Sequence, residues 1–508
     1  MAFDYRFPTL STLAFLLAAP AAQAELTSSE VWSDWKSYMS GLGYDMIGIE
    51  SSNSQGLTVE GMKMNMDLPE GEGQFSIDMG TTQFIDQPDG SVRIELSEVW
   101  RFGFDISPVN AEAISGQILY SQTGSNLVVS GDPAQMNYQF DAASIEAKLD
   151  ELKVDGAPIG PDVFAMTISM SGATSATNMT IGDTRSYSQT MNIAATTYDL
   201  SAKDPEGTGQ MKMQGTVNSL QFFGDGALPI IADFNDMPKM LKAGLAFTGG
   251  YSFAGGSTAV TIDSPDGSGT MNTSSEGGRF DMIMSEAGLT YSTSADGMVV
   301  NALMNELPIP ISFEADRATF KFGIPMLKSD DPQDFAFGTS FEGFQMSDTL
   351  WGLFDPTGQL PRDPATVIVD LTGKAKVLFD FLDPAQAAVI EQSGAAPGEL
   401  NSVDINNLTV DAAGARLTGS GAFTFDNSDT QTFNGIPRPI GAVDFQLLGA
   451  NGLIEKLSGM GLLPQDQALG ARMMLGIFAR PGEGEDSLVS KIEVNDQGHV
   501  LANGQRLQ

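Results

Sequence analysis

The chain has 508 residues, with 26 basic against 64 acidic side chains, no cysteine and a single histidine. A net charge of -38, spread along the chain, repels nucleic acid and anionic headgroups. Without cysteine there are no disulfides, thiol nucleophiles or ordinary zinc sites, so packing and backbone pairing alone must hold a chain long enough for two or three domains.

Residues 1 to 24 read as a cleavable secretory signal. The apolar stretch from Leu13 to Ala22 is interrupted by Pro20 and too short to span a bilayer. It ends in Ala22-Gln23-Ala24, the small-x-small pattern that signal peptidase cuts. Cleavage after Ala24 delivers the protein to the periplasm, and no later segment is apolar enough to span the membrane. Next, Thr27-Ser28-Ser29-Glu30 has the form of a capping box. Val31, Trp32, Trp35, Tyr38, Met39 and Leu42 then share one helical face, which predicts packing onto a sheet, and Gly41 and Gly43 end the helix.

From there to about residue 325 the apolar period is two. Leu57, Val59, Met62, Met64, Met66 and Leu68 form one run, with Gly61 marking a bulge or a change of face. Further runs at Phe75 to Met79, Val92 to Leu96 and Phe102 to Ile106 predict a meander of hairpins. Pro69-Glu70-Gly71-Glu72-Gly73 recurs as Pro205-Glu206-Gly207-Thr208-Gly209 and as Pro265-Asp266-Gly267-Ser268-Gly269. Proline followed by an acid and glycine suits hairpin turns of one kind, and the carboxylates are too sparse for a calcium loop.

The texture changes near residue 328, where Ser329-Asp330-Asp331-Pro332 reads as a linker. Strands at Thr366 to Leu371 and Ala415 to Phe425 follow. Asp383-Pro384 predicts a helix start, with Gly394 as its stop. Leu453, Ile454, Leu457 and Met460 mark another helix. Pro464 to Ala479 marks a third, apolar on most sides and therefore expected to be buried between layers. A charge at Leu457 or Ile477 is accordingly expected to destabilise the fold.

No catalytic, cofactor-binding or metal-binding residue stands out. His499 reads as a strand or turn residue without triad or metal partners. Ser33-Asp34-Trp35-Lys36 matches Ser-x-x-Lys but lacks a Lys-Thr-Gly partner. Met62-Lys63-Met64-Asn65-Met66, Met211-Lys212-Met213 and Met282-Ile283-Met284 place thioethers two apart on strand faces. Soft sulfur suits Cu(I), but methionine at this spacing is first a core filler.

Leu350-Trp351-Gly352-Leu353-Phe354-Asp355-Pro356 through Leu360-Pro361-Arg362-Asp363-Pro364-Ala365-Thr366 is one distinctive stretch. Leu469-Gly470-Ala471-Arg472-Met473-Met474 through Asn503-Gly504-Gln505-Arg506-Leu507 is another. With the signal and the strand Gly56-Leu57-Thr58-Val59, they resemble the secreted bacterial proteins of domain-of-unknown-function family 2125, over nearly all of the mature chain. The resemblance implies a periplasmic location in a Gram-negative envelope and brings no reaction, cofactor or catalytic residue. The repeated amphipathic strands and late helices are also similar to long β-rich envelope proteins that handle lipids, a likeness of architecture only.

The sequence thus predicts a mainly β (α+β) protein of large curved antiparallel sheets built from hairpins. A few amphipathic helices fall mostly at the N-terminus and in the C-terminal third. A β-rich hairpin-repeat region covers 25–330 and an α+β region covers 331–508. The expected role is that of a non-enzymatic envelope protein binding lipid or another apolar ligand on a curved sheet. The alternative is a structural or interaction module that meets envelope proteins; a carboxylate-based hydrolase or a methionine-based copper binder ranks below both.

Overall fold

The computed structural model describes residues 26–68, 73–107, 111–205, 207, 209–230, 236–383, 386 and 396–507. The segment read as a signal, the turn expected at Pro69 and most of the helix expected after Asp383 lie outside the described residues. Helix α1 (Ser28–Gly41) carries the expected capping box: the Thr27 side chain accepts from Glu30 N, and Glu30 Oε2 accepts from Thr27 N at 2.9 Å. The strands β1 (Asp45–Asn53), β2 (Gly56–Asp67), β3 (Gly73–Asp86), β4 (Val92–Glu95), β5 (Val99–Ile106), β6 (Ile114–Thr123) and β7 (Asn126–Asp132) come next. They lead to β8 (Gln135–Val154), β9 (Ala157–Pro158), β10 (Phe164–Ile181), β11 (Thr184–Lys203) and β12 (Gln210–Pro229).

After helix α2 (Met237–Lys242) come β13 (Ala246–Phe253), β14 (Gly256–Ser264), β15 (Gly267–Ser275), β16 (Gly277–Ser285), β17 (Gly288–Met304), β18 (Leu307–Ile324) and β19 (Gln333–Met346). One-turn helix α3 (Asp348–Trp351) precedes β20 (Ala365–Val377), β21 (Gly398–Ala412), β22 (Ala415–Asp426) and β23 (Arg438–Leu448). Helices α4 (Ala450–Gly459) and α5 (Gln465–Phe478) then lead to β24 (Arg480–Pro481), β25 (Ser487–Val494), β26 (Val500–Ala502) and β27 (Gln505–Arg506). With 65% strand and 11% helix in one large antiparallel sheet, the mainly β expectation holds. β18 and β19 pair from Phe313↔Met346 to Gly323↔Ala336, so the sheet runs on past Ser329–Pro332 without a break.

The sheet is folded along a crease that crosses its strands. In β12 the inward positions are Met211, Met213, Gly215 and Val217, then Leu220 and Phe222: the period of two slips by one residue at Ser219, whose φ is 49°. The same slip occurs at Gly61 in β2, Gly80 in β3, Gly172 in β10, Gly297 in β17 and Gly343 in β19, all with φ between 55° and 67°. A left-handed residue inside a strand bends it, and the extra residue returns the apolar positions to one side. The expected change of face at Gly61 is therefore found, with Val59 and Met62 both fully buried on either side of it. Other rows cross the crease as two short strands. β3 pairs with β4 on one side and β5 on the other, and β12 does the same with β13 and β14.

Side chains from both sides of the crease share core clusters. Phe84 and Val129 pack with Met62, Met64 and Met79, and Ala142 and Ala173 pack with Ile145 and Met170. The apolar side is thus the inside of a trough with two walls. The long wall continues through β20 to β23 and β25, whereas the short wall ends at Met346. Helix α1 fills the trough at its amino-terminal end, with Val31 and Trp32 in the same cluster as Phe84. Burying side chains such as Phe84 or Met62 contributes about 1.5–3 kcal/mol each.

Two expectations need correction. Helix α5 is not buried between layers: Ala468 is buried, but Leu469 is 63% and Ile477 50% exposed, so a charge at Ile477 meets solvent. The reason is that the sheet is a single layer and the short wall has ended, leaving α5 one surface to pack on. The Pro-acid-Gly turns are also not all of one kind. Leu68 N donates to Gly73 O and Asp204 N to Gly209 O, both at 2.8 Å, whereas the third copy closes tightly with Ser264 paired directly to Gly267.

Gly172 tests the crease. Its φ is 61°, and a Cβ there would lie 3.1 Å from the Ala194 Cβ. Gly172→Val should cost about 1–3 kcal/mol, read as a lowered urea midpoint.

Candidate functional site: an apolar trough

Because directly paired residues in an antiparallel sheet share a face, the register shows what lines the trough. On the long wall six aromatic rings form a ladder, one from each of six neighbouring strands. Phe222 and Tyr251 are 6.1 Å apart, Tyr251 and Phe280 5.4 Å, Phe280 and Tyr291 5.1 Å, Tyr291 and Phe320 5.9 Å, and Phe320 and Phe337 6.0 Å. Ring pairs at such distances stabilise by about 0.5–1.5 kcal/mol beyond their burial. The face continues through Leu371, Ile405, Gly421, Val443 and Ile492, each paired to the next. On the short wall Met213, Val260, Met271, Ala302 and Ile311 form a parallel row.

Among the described residues, no charged side chain occupies an inward strand position from β12 to β23. The charges sit on the other face, as in Lys374–Asp334 at 2.6 Å and Arg279 Nε to Asp281 at 2.7 Å. Such exposed pairs stabilise by about 0–1 kcal/mol. The inner face is nonetheless open: Phe320 and Phe322 are each 37% exposed, Met271 40% and Met304 47%. A contiguous exposed apolar face of this kind offers a surface that an apolar group can cover.

Among the described strand residues, a charged side chain does point inward at the closed end. Arg185 of β11 donates from Nη2 to Asp34 Oδ1 at 2.6 Å and from Nη1 to Asp34 Oδ2 at 3.0 Å, with both side chains 7% exposed. Tyr38 lies 4.9 Å from the guanidinium. Burial pushes the Tyr138 hydroxyl up, and the Asp34 charge adds to this, so it stays protonated beside Met136 Sδ at 3.4 Å. The pairing was invisible in sequence because its partners are 151 residues apart. Its trace was an acid among apolar residues: Asp34 falls on the helical face of Val31, Trp35 and Tyr38.

The distinctive motifs prove to be structural. Asp355 is fully buried, and its carboxylate accepts from Gln359 N at 2.9 Å and Leu360 N at 2.8 Å. Arg362 pairs with Asp348 and covers Trp351, so this loop closes the end of the short wall. In the second motif Asn503 takes the left-handed conformation (φ 50°), accepts from Lys491 N at 2.9 Å and donates to Phe478 O at 3.0 Å, fastening α5 to β25. His499 sits in the β25–β26 turn, donating its N–H to Asn495 Oδ1 at 3.0 Å. Met62 and Met64 are core residues, and Met211 and Met213 line the short wall.

Fold and lining together define a class: an open, single-layered antiparallel sheet folded into an apolar trough, blocked at one end by a helix. The chain belongs to the bacterial family described as "Uncharacterized protein conserved in bacteria (DUF2125)", which matches residues 237–504. The match takes in 268 of 508 residues, from α2 to β26, and leaves out the Gly56-Leu57-Thr58-Val59 strand. No curated protein matches the sequence at a significant level. No helix among the described residues is long and apolar enough to cross a membrane.

Asp34→Ala leaves Arg185 buried and unpaired, and should cost about 3–5 kcal/mol by urea unfolding. Adding Arg185→Met should restore most of that loss, because the unpaired charge goes with it. The Asp355 loop carries an acid dependence. Burial raises its carboxyl, but the Gln359 and Leu360 amides outweigh this and hold it below the ordinary 3.8. A carboxyl lowered in the folded state stabilises above 3.8, and that contribution is lost as pH falls through the lowered value. Trp351 fluorescence should report loop opening in that acid range, and Asp355→Asn should remove the transition.

Proposed function

We propose that this protein is an exported periplasmic carrier or holder of lipid, which lays acyl chains along the inner face of the trough. The observation that carries this reading is the combination of an uncharged, mainly aromatic and aliphatic inner face with its exposure. About 0.8 kcal/mol is gained for each methylene moved from water onto apolar surface. A chain covering the ladder would supply the second layer that a single sheet lacks. The absence of charge from inward positions favours an apolar ligand over a sugar or peptide, whose polar groups would go unpaired there. The sequence of residues 1 to 24 supports export, and in this reading the protein catalyses no reaction.

Phe320→Asp puts a charge in the middle of the ladder at a partly exposed position. It should lower affinity for N-phenyl-1-naphthylamine at least tenfold, at a stability cost of about 1–3 kcal/mol from its two ring contacts, with circular dichroism showing that the variant is folded. Native mass spectrometry of protein taken from the periplasm should show bound lipid. A bare protein, with probe binding unaffected by the substitution, would refute the reading.

A further inference from the structure

Beneath α1 lies a cavity of about 300 Å³. That is roughly twice the ~150 Å³ of an apolar cavity that takes up benzene. Five of its lining residues are methionines, Met39, Met46, Met64, Met79 and Met179, unbranched side chains that adapt to an apolar guest. Phe140, on the long wall, lines this cavity and also packs in the crease cluster with Met191 and Leu220. Met191 is paired with Phe222, the first ring of the ladder. Cavity and trough are thus successive stations on one apolar path.

The charged groups at the cavity are already neutralised. Both Asp34 oxygens are taken by Arg185, whose guanidinium also donates to Met179 Sδ at 2.8 Å and faces the Tyr38 ring. A ligand headgroup entering here would find no free counter-charge and would lose its water. We infer that the cavity receives the terminal methyl end of an unbranched alkyl chain. The ligand therefore lies tail towards α1, with its headgroup towards the open carboxyl-terminal end of the trough. Helix α1 sets the depth of insertion. This inference rests on the reading of the trough as a lipid site and adds the ligand's direction and a specific stop.

The tryptophans provide the test. Trp100→Phe with Trp351→Phe leaves Trp32 and Trp35 on α1 as reporters, and adding Phe320→Trp in the same background reports from the trough. Each chain is titrated with a fatty acid brominated at the terminal carbons and with the same acid brominated beside the carboxylate. Terminal bromine should quench the α1 tryptophans at least twofold more strongly than carboxyl-side bromine. Equal or absent quenching on α1, with the Phe320→Trp signal quenched, would overturn the tail-first site and leave the trough reading intact. No quenching at either position would overturn both. Should the double substitution fail to fold, the difference between the wild type and Trp35→Phe supplies the same comparison.

Discussion

The one-residue slip in each strand that crosses the crease is the constraint on which the rest of the structure depends. In a regular strand the apolar positions keep one parity, and a sheet bent sharply across such strands would strain every hydrogen-bonded row. Here the strands bend together. Ser171 pairs with Ala195 and Ala173 with Ile193, so register is preserved across Gly172 while inward parity changes from even to odd. A strand without the slip would turn its apolar residues outward on one wall and its charges inward. The bend, the register and the hydrophobic pattern therefore stand or fall as a unit.

This geometry also sets how stability is distributed. Packing is densest where surfaces meet: along the crease, under α1, and where α2 joins Leu241 to Leu327. Away from these places each wall has solvent on both sides, and its rows are held mainly by backbone pairing and cross-strand contacts such as the ring ladder. A globular protein would cover that inner face with a second layer. Leaving it bare costs the hydrophobic contribution of a whole face, a cost that makes sense when a ligand completes the layer.

Much of this was legible in the sequence because it is local. The capping box, the period of two and the change of face at Gly61 each depend on neighbouring residues, and glycine advertises the left-handed turn. The crease as a whole was hidden because it is a line across strands that are distant in sequence. At Ser219 no glycine announces it, and in other rows it is merely a break between two short strands. Helix α5 was misread for a related reason: an all-round apolar helix signals burial only where layers exist on both sides, and the number of layers is a global property. The Asp34–Arg185 pair was missed because no local rule joins a helix to a strand 151 residues away.

The two ends of the trough differ in kind, and that asymmetry follows from chain order. The amino-terminal rows have both walls plus α1, so their interior closes into a core around a buried, self-neutralised ion pair. The carboxyl-terminal rows have the long wall only, because the short wall ends at Met346 and the Asp355 loop turns the chain away. Beyond that point come α4 and α5, whose Leu469 and Met473 stay exposed. A ligand bound along the trough would therefore meet helix α1 at one end and water at the other. This is the arrangement an amphiphile requires, since the free energy gained by burying its chain is kept only if its headgroup remains hydrated.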